Sequence, residues 1–128
     1  MSEGSQFPTT TARQALAERF GLPYGDDMQD WEWEVADAKR FQELLAAYDT
    51  PPLTDAERYS LMEMLVQCVE DLAVDGEGEN AWTAIEHRLR SRPLHRTTIE
   101  YWSCLGETDP NSMFHISARM RRLLGHSS

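Results

Sequence analysis

Carboxylates are the reactive side chains this chain has in quantity: 22 Asp and Glu against 12 Lys and Arg in 128 residues, a formal net charge of -10. Oxygen donors in such number suit two chemistries, holding a hard cation and moving protons. For a cation, the stretch Asp75-Gly76-Glu77-Gly78-Glu79-Asn80 invites a calcium reading. With Asp75 as the first position, Glu77, Glu79 and Glu86 fall at the third, fifth and twelfth of a helix-loop-helix calcium site. The match fails where geometry is strictest, with Asn80 in place of the turn glycine and Trp82 at the eighth position. The stretch therefore reads as a solvated acidic connection between two helices. For proton transfer, Glu63 and Glu70 share one helix face, but acid–base work also needs a pocket that shifts their pKa values. The expectation is a solvated acidic face, since ionised Glu stays exposed unless paired.

The remaining reactive groups are sparse. His87, His95, His115 and His126 show no i, i+4 or HExxH spacing, and no Glu-x-x-His pair exists, so no metal site is expected. Cys68 and Cys104 sit in apolar periodic segments without a CxxC and read as buried free thiols. There is no GxSxG and no glycine-rich phosphate loop. No catalytic residue, cofactor or metal ligand is assigned, and the expectation is a protein that is not an enzyme.

Binding is the better use for these acids. Residues 26–37 hold Asp26, Asp27, Asp30, Glu32, Glu34 and Asp37 around Trp31 and Trp33, and tryptophan is enriched at interface hot spots. Alternation from 30 to 37 predicts an extended arm or short strand, with Trp31, Trp33 and Val35 inward and Glu32 and Glu34 toward water. The candidate partner-binding residues are Asp26, Asp27, Asp30, Trp31, Glu32, Trp33 and Glu34, facing a protein partner with a basic surface. Residues 1–80 carry 18 acids against 5 bases and residues 81–128 carry 4 against 7. Arg119, Arg121 and Arg122 of the last helix read as a solvated face or as internal counter-charge for the arm. With Lys39 the sole lysine, direct nucleic-acid binding and anionic membrane binding are not expected.

The elements that must position these residues are helices. Thr11 and Gln14 suggest the start of a helix stacking Ala12, Leu16 and Phe20, and Gly21 followed by Pro23 its end. Asp37 should cap a helix turned inward by Phe41, Leu44, Leu45 and Tyr48, with Lys39 paired to Glu43 outside. Thr54 and Glu57 form a capping box that opens a central helix of about residues 55–74, whose Ser60, Glu63, Gln67, Glu70 and Asp71 make its polar face. Asn80 should cap a helix of 81–91 that buries Trp82, Ile85 and Leu89. Thr97 and Glu100 open a short helix to Cys104, and a last helix from Ser117 buries Ile116, Met120, Leu123 and Leu124. The expected fold is an all-α single-domain bundle of five or six helices over residues 11–125, with a flexible segment 1–10 and a tail 126–128. A hydrophobic share of 41% is enough for a core.

The order Asp30-Trp31-Glu32-Trp33-Glu34 with Ala36-Asp37, then Tyr101-Trp102, then Phe114-His115-Ile116-Ser117 leading to Arg121, resembles small acidic α-helical bacterial proteins. Some of these are immunity partners of secreted toxins. The resemblance implies a helical bacterial protein that neutralises another protein by binding it, and it transfers no catalytic residue. The opening MSEGSQFPTTTA has neither the basic nor the apolar region of a leader, so a cytoplasmic location is expected. Two alternatives stand beside this reading. One is a small enzyme or ligand-binding domain with a pocket between helices. The other is a self-associating structural module, a homo-oligomer in which the acidic arm of one copy meets the Arg-rich last helix of another.

Overall fold

The computed structural model describes residues 8–25, 27–109 and 113–125. Within them the fold is all-α, with seven α-helices, two 3-10 turns and no strand. The chain divides into two compact units, Met1–Gln67 and Cys68–Ser128.

In the first unit, α1 (Thr10–Phe20) is opened by Thr9. The Thr9 hydroxyl accepts the amide of Ala12 at 3.1 Å, which takes the capping role expected of Thr11 two residues earlier. Gly21 ends the helix as expected, in the left-handed region at φ 66°, and the amide of Leu22 donates back to the carbonyl of Ala17 at 2.8 Å. Ala12, Leu16, Ala17 and Phe20 form the buried stripe.

The extended arm is a correction. Residues Trp31–Glu34 form a single helical turn, α2, in which the amides of Glu34 and Val35 donate to the carbonyls of Asp30 and Trp31 at 3.0 Å. Four alternating residues fit a strand by period alone, but the period assumes that every Glu is exposed, and here Glu32 is buried. Asp37 then accepts the amide of Lys39 at 3.0 Å and opens a 3-10 turn, Ala38–Arg40, that runs into α3 (Phe41–Tyr48). Glu43 pairs with Arg40 at 2.7 Å, three residues back, rather than with Lys39.

Capping by Thr54 and Glu57 forms as the sequence predicts. The Thr54 amide donates to the Glu57 carboxylate at 2.9 Å, and the Glu57 amide donates to the Thr54 hydroxyl at 3.0 Å. It opens α4 (Asp55–Val74), the central helix, which belongs to the first unit up to Gln67 and to the second beyond it. Leu61, Met62, Met64, Leu65, Val66, Cys68 and Val69 are all fully buried, which explains why no single apolar stripe could be read from its sequence.

In the second unit, Gly76 at φ 76° closes α4, and Gly78 starts α5 (Glu79–Ser91). A side chain at Gly78 would lie 3.1 Å from the backbone of Ala73, so this turn needs glycine for close approach. Ala81, Trp82, Ile85 and Leu89 are buried along α5. A 3-10 turn, Pro93–His95, leads without a break into α6 (Arg96–Ser103). That continuity places Thr97 inside the helical run, so its box with Glu100 has no terminal amide to serve, and Glu100 pairs with Arg96 at 3.0 Å instead. Finally α7 (Ser117–Leu123) packs on α6, with Ile116 and Met120 buried and Leu123 and Leu124 only half-buried. Trp102 and Phe114 meet with ring centroids 4.2 Å apart.

Candidate functional site

Helix α2 is held from three sides. Its Glu32 is 4% exposed, a correction to the water-facing position read from the alternation. Both oxygens are engaged: Arg13 of α1 donates from Nη2 to Oε1 at 2.7 Å and from Nε to Oε2 at 2.9 Å, and the Ser60 hydroxyl donates to Oε2 at 2.6 Å. Arg13 also donates to the carbonyls of Met28 and Gln29 at 3.3 and 2.9 Å, so one guanidinium fixes the loop and the helix together. Its hydrogen bonds to Glu32 push the Arg13 pKa upward, against the opposing effect of burial.

The two tryptophans are anchors inside the fold. Trp31 is fully buried, donates its indole N–H to the carbonyl of Pro23 at 2.7 Å and lies edge-on to Tyr24, with centroids 6.2 Å apart. Half-buried Trp33 donates to Glu63 at 2.9 Å. Glu63 and Glu70 are 5% and 8% exposed, so on the polar side of α4 these two are buried acceptors, while Gln67 is half-buried and Asp71 exposed. Nothing in the segment itself could have found Arg13 or Ser60, whose link to Glu32 spans 19 and 28 residues.

Of the seven candidate partner-binding residues, the structure therefore takes Trp31 and Glu32 into the core and leaves Asp27, Asp30 and Glu34 exposed. Asp26 lies outside the described residues. Asp30 stands at the N-cap of α2 without a side-chain capping bond, and Glu34 is four residues on, so the two project from the same side of the turn. Among the described residues, the carboxylates of Asp27, Asp30 and Glu34 make no hydrogen bond or ion pair.

Two of the three arginines expected as a solvated face or counter-charge bond within their own unit. Arg121 donates to the carbonyls of Ser103, Cys104 and Glu107, tying α7 to the open C-terminal end of α6, where Cys104 adopts φ 52°. Arg119 forks onto Glu79 and lies over the Trp82 ring at 5.8 Å, and Arg122 is exposed. The Arg119 hydrogen bonds hold Glu79 below the usual carboxylate range. Glu79 is also the first residue of α5, so the helix begins at the fifth position of the calcium reading and the twelve-residue loop does not exist. Among the described residues, no three His, Cys, Asp or Glu side chains converge as a metal site would require.

Glu70 has the same structural character as Glu32. Its Oε2 accepts the amide of His115 at 2.8 Å and its ring Nδ1 at 2.9 Å, and Oε1 accepts the amide of Ile116 at 3.1 Å. It caps α7 from outside that helix, since Ile116 makes no side-chain cap of its own. Ser117 completes the corner, accepting the amide of Phe114 at 3.0 Å and donating to the carbonyl of Trp102 at 2.8 Å. Cys68 is a buried free thiol as expected, while Cys104 is half-exposed. No helix among the described residues is long and apolar enough to cross a membrane. No protein-family model, curated protein or solved structure matches the chain.

Proposed function

We propose that this is a non-enzymatic interaction protein, immunity-like in its mode of action, whose acidic face of Asp27, Asp30 and Glu34 binds a protein partner with a basic surface. One observation carries the reading. Three exposed carboxylates make no ion pair among the described residues, on or just before a turn whose other polar groups are locked by Arg13, Ser60 and Glu63, and Asp30 feels the Arg13 guanidinium only through space. Asp30 and Glu34 repel each other across one helical turn, and a cationic partner would turn that repulsion into attraction. The rigid support matters as well, because a face already ordered loses little conformational freedom on binding. Buried Trp31 and the Trp33 indole bonded to Glu63 give the face its rigidity and leave recognition to charge.

The test is kinetic. Proteins from the native host are captured on the chain at low salt, and association of a captured basic partner is then measured against ionic strength. The variant Asp27→Asn/Asp30→Asn/Glu34→Gln should associate about tenfold more slowly at low salt and show a flatter salt dependence. An unchanged association rate, or a captured partner without a basic surface, would overturn the assignment.

A further inference from the structure

Basic side chains cluster in one place that the acidic face does not explain. Residues 87–96, His-Arg-Leu-Arg-Ser-Arg-Pro-Leu-His-Arg, hold four of the twelve Lys and Arg and no acid. The segment covers the end of α5, the 3-10 turn and the first residue of α6. Arg90, Arg92 and Arg96 are exposed. Among the described residues Arg90 and Arg92 make no hydrogen bond or ion pair. Arg96 is held only by its exposed pair with Glu100, an interaction that water largely screens. In the last helix, by contrast, Arg119 is committed to Glu79 and Arg121 to three carbonyls. Positive charge still open to a partner therefore lies more in this segment than in α7, where the sequence alone would place it.

We propose that this basic segment docks on the acidic face of a second copy of the chain, Arg92 and Arg96 against Asp30 and Glu34, with Arg90 and Asp27 beside them. It rests on the acidic face being a docking surface and names one occupant of it. The two charged sets are built alike. Asp30 is the N-cap of α2 and Glu34 its fourth residue, while Arg92 is the N-cap of the 3-10 turn and Arg96 lies four residues on. Each set thus presents two like charges as neighbours, and the other copy's set answers both. Among the described residues neither Asp30 and Glu34 nor Arg90 and Arg92 have an ion pair of their own, so one contact relieves the repulsion within both sets. An extended polyanion is a poorer occupant, because it would run on from these arginines over the acidic remainder of a chain of formal charge -10. A second copy offers its acids in a patch no longer than the basic one. The contact joins unlike surfaces of the two copies and covers the face that a basic protein partner would use, so self-association and partner binding exclude each other. Exposed pairs contribute little each, and the dissociation constant is on the order of 0.1–1 mM.

The test follows amide NMR shifts of the full chain from about 0.02 to 2 mM in about 0.1 M salt, where the general repulsion between two copies is screened beyond about 10 Å. Shifts should move with concentration at residues 27–34 and 87–96 together, and stop moving in about 1 M salt. Two variants separate the surfaces: Asp27→Asn/Asp30→Asn/Glu34→Gln keeps only the basic set, and Arg90→Gln/Arg92→Gln/Arg96→Gln keeps only the acidic one. Each alone should self-associate about tenfold more weakly with the helical circular dichroism unchanged, and mixing the two should restore a one-to-one pair. If a triple variant fails to fold, Arg92→Gln or Asp30→Asn serves in its place, with a weakening of about two- to threefold. Shifts independent of concentration, shifts confined to other residues, a variant that associates as the native chain does, or a mixture that stays monomeric would each overturn the proposal. The arginine variant keeps the acidic face, so its association with a captured basic partner should match the native rate. Salt-dependent binding of such a partner without self-association would overturn the second-copy docking alone. Self-association with no basic partner captured would support it and remove only the separate partner.

Discussion

A carboxylate only 4% exposed needs partners for both oxygens, and Glu32 finds three donor atoms on Arg13 and Ser60. Removing it strands a largely buried guanidinium, so Glu32→Ala should lower stability by about 3 kcal/mol in urea unfolding, and Glu32→Gln by less, since an amide still accepts one bond. Near-neutral values for both would mean that the Arg13 contact contributes nothing to the fold. At Glu79 the effect depends on pH. Arg119 lowers its folded pKa below the ordinary carboxylate value. The pair is therefore stabilising above the unfolded value, and its contribution disappears as pH falls through the lower folded one. The Glu79 carboxyl carbon, followed by NMR, should titrate below the ordinary glutamate range in the native chain and return toward it in Arg119→Gln. At this scale the sequence made the acids visible but not their partners. Composition counts charges, and only the fold decides that Glu32 meets Arg13 while Asp30 and Glu34 meet solvent.

Helix ends were legible where their chemistry is local. Thr54 and Glu57 cap each other within one turn, and Gly21 closes α1 through its own backbone, so both follow from adjacent residues. The start of α7 was legible only in position, because its capping group is Glu70, which lies 45 and 46 residues before the amides it accepts. Glu70→Ala should free the amides of His115 and Ile116 at once and cost about 2–3 kcal/mol, with amide exchange rising first at the beginning of α7. If exchange rose equally throughout the second unit, Glu70 would be a general packing residue and not a cap. The misreading of α2 has the same origin. A single turn has too few residues for a helical period to show, and its stability comes from Arg13, Ser60 and Glu63, all outside it.

Across the whole molecule, the charge division read from the sequence keeps its sign but acquires a different anatomy. Part of the acid in the first unit is internal, spent on Arg13 and on the Trp33 indole, and the basic side chains fall as much in residues 87–96 as in the last helix. The formal charge of -10 therefore overstates the acidic surface and hides a basic one. Neutralising Asp27, Asp30 and Glu34 together should leave the unfolding free energy within about 0.5 kcal/mol of the native chain or raise it slightly, as expected for exposed like charges. A loss of several kcal/mol would show these acids to be part of the fold's own support, and the slowed association would then report damage. The two buried carboxylates also have a place in time. Ser60 follows Glu32 by 28 residues, and His115 follows Glu70 by 45. At about 5–20 residues per second of synthesis, Glu32 emerges from the ribosome roughly 1–6 s before its hydroxyl partner, and Glu70 roughly 2–9 s before its amides. Each carboxylate stays hydrated until later chain arrives, so folding that keeps pace with synthesis would close the Glu32 cluster before the Glu70 one.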